Sequence, residues 1–197
     1  ALAMLGVLSA IAAALRPFGP AAAGIEPMWI IIILGARALG PVFGFLLGCT
    51  AMFVSALITG GVGPWLPFQM MAAAWIGLGA GLLPKTTKHR YELLILLPYT
   101  FASALFFGLL MNLWQWRWTP GLGEAISYLP GDEPSANIMR WLRFSITTSL
   151  AWDLSRAIST TIFIAIASKP ILVALRRGAR RARFSPRPTF AQPPTSR

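Results

Sequence analysis

Residues 93–113 read LLILLPYTFASALFFGLLMNL, and none of their side chains is charged. Crossing the roughly 30 Å hydrocarbon core of a bilayer takes about 20 apolar residues. Helices in the core of a soluble domain seldom sustain such a run. Pro98 is no obstacle, because membrane helices tolerate a proline at a kink. This stretch therefore predicts a transmembrane helix.

Five further apolar segments flank it, at residues 1–15, 27–39, 41–58, 66–83 and 144–167. Residues 1–15 could pass for the core of a signal peptide, but they lack a charged start and more apolar runs follow, so they read as a first membrane helix. Residues 27–39 are short and open on Pro27, a residue suited to a first helical turn. The whole chain of 197 residues carries only 12% charged residues, about half the share of an average soluble domain. Its mean hydropathy is +0.65.

The chain is nevertheless strongly basic, with a net charge of +11. A basic soluble domain would suggest nucleic acid, so the placement of the cations decides. Of the 17 Lys and Arg, twelve fall on alternate connections and the C-terminal region: Arg37, Lys85, Lys88, Arg90, Lys169, Arg176, Arg177, Arg180, Arg181, Arg183, Arg187 and Arg197. The other side holds Arg16, Arg117, Arg140 and Arg143, and Arg156 lies within the last segment. This is the positive-inside asymmetry. The sequence predicts an all-α polytopic membrane protein of six transmembrane helices, multi-pass in the plasma membrane, with both termini cytoplasmic. Residues 1–175 form the transmembrane domain. Residues 176–197 form an Arg- and Pro-rich cytoplasmic tail, expected to be disordered and drawn to anionic lipid rather than to nucleic acid.

Catalytic signatures are absent. There is no GxSxG elbow and no GxxxxGK[ST] nucleotide loop. Cys49 and His89 are the only cysteine and histidine, which excludes a Cys/His zinc cluster. The long connection of residues 114–143 is long enough to be an ordered lid. It carries Glu124, Asp132 and Glu133, without the spacing of a metal site.

Polar groups inside the apolar segments are the candidates for function. Asp153 and Arg156, at i and i+3, can pair on one helix face. They serve either to fix helix packing or to line a solute cavity. Gln69 and Asn112 sit at similar depth near the outer ends of their helices. They bond either to neighbouring helices or to a solute. Trp65, Trp114, Trp116, Trp118 and Trp141 gather at the outer boundary, where they form an aromatic belt or, in the dense stretch 114–118, a surface for stacking a flat ring. The small-xxx-small pairs Ala10/Ala14, Gly44/Gly48 and Gly77/Gly81 either pack the bundle or offer a smooth face to another subunit.

Several stretches resemble one family. Glu26-Pro27 and the run ARALGPVFGF at 36–45 look like the second and third helices of the substrate-specific (S) components of energy-coupling factor (ECF) transporters. TGGVGPWLPFQM at 59–70, GLGAG at 77–81 and TSLAWDLSRA at 148–157 strengthen the likeness, which runs from about Ala10 to Lys169. The Gly-Pro-Trp-Leu-Pro-Phe-Gln piece is the most specific.

The resemblance implies a six-helix subunit that captures a vitamin or other micronutrient from outside. It implies partnership with a transmembrane coupling subunit and two cytoplasmic ABC-type ATPases. No cofactor is expected in this chain, since ATP would be used by those ATPases. The family's alanine-rich first-helix surface maps onto Ala10 and Ala14, with Gly6/Ala10 as the neighbouring register. The loop that covers the substrate maps onto residues 16–26, which adds Arg16 and Glu26 to the substrate-binding candidates Trp65, Gln69, Asn112, Trp114, Trp116, Asp153 and Arg156. The substrate itself stays open among a cobalamin, a pterin, thiamine or a precursor. Two other classes compete: a small integral-membrane enzyme acting on a lipid or prenyl substrate, and a ligand-free structural membrane subunit. The Arg-rich tail departs from what a short S component needs.

Overall fold

The computed structural model describes residues 2–17, 24–86, 88–119 and 123–183. Among these residues there are seven α-helices and no strand. They are α1 (Leu2–Leu15), α2 (Met28–Leu39), α3 (Pro41–Thr59), α4 (Leu66–Leu82), α5 (His89–Trp116), α6 (Pro134–Thr148) and α7 (Leu150–Arg183).

Proline and glycine punctuate the chain. Residues ahead of a proline avoid the helical region, and α1 stops before Arg16-Pro17. Gly40, at φ +104°, ends α2 by donating its N–H to the Ala36 carbonyl, and Pro41 then opens α3. Gly60, left-handed at φ +66°, closes α3. Pro134 starts α6.

α2 is the central helix. It packs against α1, α3, α4 and α7. Met28, Trp29, Ile32, Ile33, Leu34 and Ala36 are all buried. A helix apolar on every side belongs inside a bundle, which is why a 12-residue segment can be so hydrophobic. The outer helices are dressed the opposite way. Val42 and Leu57 of α3, Leu94 and Leu113 of α5, and Ile162 and Ile166 of α7 are exposed. Apolar surface on that scale has no place in water and suits hydrocarbon. Three helices, α3, α5 and α7, are long and apolar enough to cross a membrane, while α1, α2 and α4 are shorter apolar helices.

α3 and α4 form the tightest pair. Gly44 lies against Gly77, Gly48 against the Ala73 backbone, and Gly81 against Pro41. The glycine pairs of these helices are spent on internal packing. On α1, Gly6, Ala10 and Ala14 are exposed, and nothing approaches Gly6 within 4 Å of where a Cβ would stand.

Several boundaries differ from the sequence reading. α5 begins at His89, so Glu92 is helical and buried rather than in a loop. Arg37, expected in a turn, is in α2 and buried, because Glu92 and the carbonyls of Leu83 and Pro84 receive its guanidinium. The expected last span, 144–167, is two helices broken at Ser149, and α6 occupies the last third of the long connection. The helix of the last span runs on to Arg183, so the tail is helical where it begins; residues 184–197 lie outside the described residues.

Candidate functional site

One end of the bundle gathers the intramembrane polar groups. The ends of α1, α3 and α5 meet the starts of α2, α4 and α7 around a cavity of about 330 Å³. Its lining includes Arg16, Glu26, Gln69, Asn112, Asp153 and Arg156. These are six of the nine residues read from sequence as substrate-binding candidates. They lie on separate parts of the chain and are brought together only by the fold.

Arg16, just beyond α1, reaches across to α3 and α4. Its Nη1 donates to Ser55 Oγ at 2.6 Å and its Nη2 donates to Gln69 Oε1 at 2.9 Å. Burial pulls its pKa below the ordinary arginine value, against an opposing pull from Glu26. Glu26, at the entry to α2, accepts from Trp29 Nε1 at 2.6 Å and stands 3.3 Å from Arg156 Nε. Arg156 Nη1 also donates to Asp153 Oδ1 at 2.9 Å, and its guanidinium lies over the Phe107 ring, 5.2 Å from the centroid. The Asp153 carboxylate sits directly on Gly108, where any Cβ would collide with it. The expected Asp153–Arg156 pair thus exists, and the same pair faces the cavity.

Asn112 Nδ2 donates to Ser149 Oγ at 2.5 Å, tying α5 to the break between α6 and α7. Gly24, at φ +89°, lets the α1–α2 connection turn against Trp152. A side chain there would be strained and would press on the Trp152 carbonyl.

A second recess of about 450 Å³ adjoins the first and shares Gln69, Met111 and Gln115 with it. Trp65, Trp114 and Trp118 form its aromatic wall. Trp116 takes no part in either recess. It is buried, donates its Nε1–H to the Ile126 carbonyl at 2.6 Å, and meets Tyr128 edge to face at 5.3 Å. Its role in the structure is to seat the long connection. Trp141 is half-buried on α6. In the same region Asp132 pairs with Arg140 at 2.5 Å, which holds its carboxyl below the usual aspartate value.

Sequence reasoning did not single out Thr148, Ser149, Trp152, Gln115 or Met111, all of which line the cavity. Trp152 had a visible signal, its place beside Asp153. The hydroxyls had none, because serine and threonine are ordinary in membrane helices. Among the described residues, no group of three His, Cys, Asp or Glu gathers that could hold a metal ion.

The opposite end is basic. Lys85, Lys88, Arg90, Arg177, Arg180 and Arg181 are exposed there, around the buried Arg37–Glu92 pair.

The sequence model of a family described as ECF transporter, substrate-specific component, matches residues 1–173. No curated protein and no solved structure matches the chain.

Proposed function

The chain belongs to the family of ECF transporter substrate-specific components, and on that premise we propose that it is a solute-capturing membrane subunit of an importer. Its helices cross the membrane six times with both termini cytoplasmic. It takes up a vitamin or related micronutrient from outside and releases it inward with a transmembrane coupling subunit and two ABC-type ATPases.

The observation that carries this reading is the cavity. Arg16, Glu26, Gln69, Asn112, Asp153 and Arg156 converge on about 330 Å³ at one end of an otherwise apolar bundle. Small-molecule sites are concavities of this order with a few well-placed polar groups. Ionisable groups at membrane depth are costly and mark solute pathways.

Orientation follows from charge. The exposed cations Lys85, Lys88, Arg90, Arg177, Arg180 and Arg181 cluster at the end away from the cavity. Positive residues favour the cytoplasmic side, so the cavity faces outside. The exposed stripe of Gly6, Ala10 and Ala14 on α1 supports a docking face for the coupling subunit.

Co-expression with a coupling subunit and its ATPases tests the proposal. The expected result is co-purification of a complex and ATP-dependent solute accumulation in vesicles. A chain that purifies alone from cells making those subunits would refute it.

A further inference from the structure

Arg16 differs from the other buried or half-buried cations of the bundle. Arg37 and Arg176 both bridge to Glu92, and Arg156 bridges to Glu26 and Asp153. Among the described residues, Arg16 makes only the two bonds given above, to a hydroxyl and an amide carbonyl. All six acidic residues of the chain lie among the described residues, and none stands within 4.0 Å of the Arg16 guanidinium.

A guanidinium carries five N–H donors in a planar fork. Ser55 and Gln69 take one from each terminal nitrogen, and the others have no partner among the described residues. Glu26 is near enough to act on Arg16 through space, but it is already engaged by Trp29 and Arg156. A half-buried cation without a counter-ion is costly unless something supplies one. Gln69, which holds Arg16, lines both recesses. Arg16 itself lines the polar cavity, one hydrogen bond away from the residue that the aromatic recess shares.

From this arrangement we infer that the cavity takes a small carboxylic acid, with Arg16 as the residue that binds its carboxylate. The inference rests on the solute-capture reading above and names the solute class for that same site. Arginine pairs with a carboxylate through two parallel N–H···O bonds. The remaining walls say what else the solute carries. Asp153 and Glu26 share the single cation Arg156, so the far side of the cavity has acceptor capacity for N–H donors. Trp152 and the Trp65, Trp114 and Trp118 recess present flat apolar faces to a ring. A phosphate fits less well. It carries about −1.5 to −2 charge at neutral pH and would face Glu26 and Asp153 with one unshared guanidinium to offset it. The volume of about 330 Å³ is at the low end for ligand pockets and suits a one- or two-ring acid.

The test is thermal unfolding of the full chain in detergent with matched probes. These are nicotinate against nicotinamide, benzoate against benzamide, indole-3-acetate against indole-3-acetamide, and phenyl phosphate. A ligand that binds the folded state raises the melting temperature. The expected result is that at least one acid stabilises, with its amide at least tenfold weaker. Arg16→Gln should abolish that difference, while Arg16→Lys retains part of it. Gln69→Glu covers the case in which Arg16→Gln fails to fold. It places a carboxylate beside Arg16, so it should keep the fold and lose the acid preference. Amides that bind as well as their acids, phenyl phosphate as the best stabiliser, or an acid preference that survives Gln69→Glu would each overturn the inference. So would a panel in which no acid stabilises. In all four cases co-purification with the coupling subunit remains a separate result, so failure here is distinguishable from failure of the transporter reading.

Discussion

Gly44 and Gly77 face each other across α3 and α4 so closely that a methyl group on either would fall on the other's backbone. Lipid tails are as apolar as leucine, so helices in a membrane gain little by hiding hydrophobic surface. They associate through close packing, and small residues at the contact permit it. Gly44, Gly48, Gly77 and Gly81 give α3 and α4 that approach.

Gly77→Leu is therefore expected to force the two helices apart and to destabilise the protein. Overpacking a well-packed interior costs about 1–3 kcal/mol, at times more. Gly6→Leu, on the exposed face of α1, serves as the control and should leave the melting temperature in detergent within a degree or so of wild type. Equal losses in the two variants would mean that the α3–α4 contact is not special.

Glu92 holds α2, α5 and α7 at the end away from the cavity. It accepts from Arg37 Nε at 2.7 Å and from Arg176 Nη2 at 3.0 Å, and Thr86 also bonds to it. Removing one member of a buried pair leaves the other charge without compensation, at a cost of about 3–5 kcal/mol. Glu92→Ala should show that loss by denaturation in detergent. The double variant Glu92→Leu with Arg37→Met should recover much of it, since replacing a buried pair by apolar residues is often close to neutral. A double variant no better than the single one would place the value of Glu92 in its contact with Arg176.

These charges also show where the sequence was misleading. In a linear reading, the glycines at 35 and 40 put Arg37 at a turn and the charge of Glu92 kept it in the loop before the apolar run. Both are helical because each supplies the other's partner across a sequence separation of 55, and no local pattern reports that. The helices themselves were legible because apolar length is a strong signal: residues 93–113 lie wholly inside α5. The break at Ser149 had no signal, since neither proline nor glycine marks it. Within the site, Gln69, Asn112, Asp153 and Arg156 stood out as polar groups in apolar runs. Ser149 did not, because its hydroxyl could equally have bonded only to the Ser145 carbonyl, as it also does at 3.1 Å.

Ala10 and Ala14 face outward with Gly6 on one side of α1. If the coupling subunit packs there, Ala10→Trp or Ala14→Trp should cut uptake severely while solute binding by the purified chain stays near wild type. Binding and vesicle uptake measured on the same variants separate the two effects. A parallel loss of both would put the solute, not the partner, against α1.

α6 carries three kinds of surface. Asn137, Phe144 and Ser145 are buried against the protein. Ile138, Leu142 and Ile146 recur every fourth residue and are 57%, 37% and 61% exposed. Arg143 and Thr147 are exposed on another side. A helix with one apolar and one polar exposed face lies in the membrane interface rather than across it. α7 alone, about 50 Å long at 1.5 Å per residue, is more than enough to cross, so α6 has no need to contribute to the span. Asn137 anchors it by bonding both backbone groups of Leu129. Single nitroxide labels placed on α6 in a Cys49→Ser background test this orientation. Labels at 138, 142 and 146 should be accessible to oxygen dissolved in lipid, and labels at 143 and 147 to a water-soluble nickel chelate. Uniform lipid access would make α6 part of a longer transmembrane helix, and uniform water access would lift it off the bilayer. Either outcome refutes an interfacial α6.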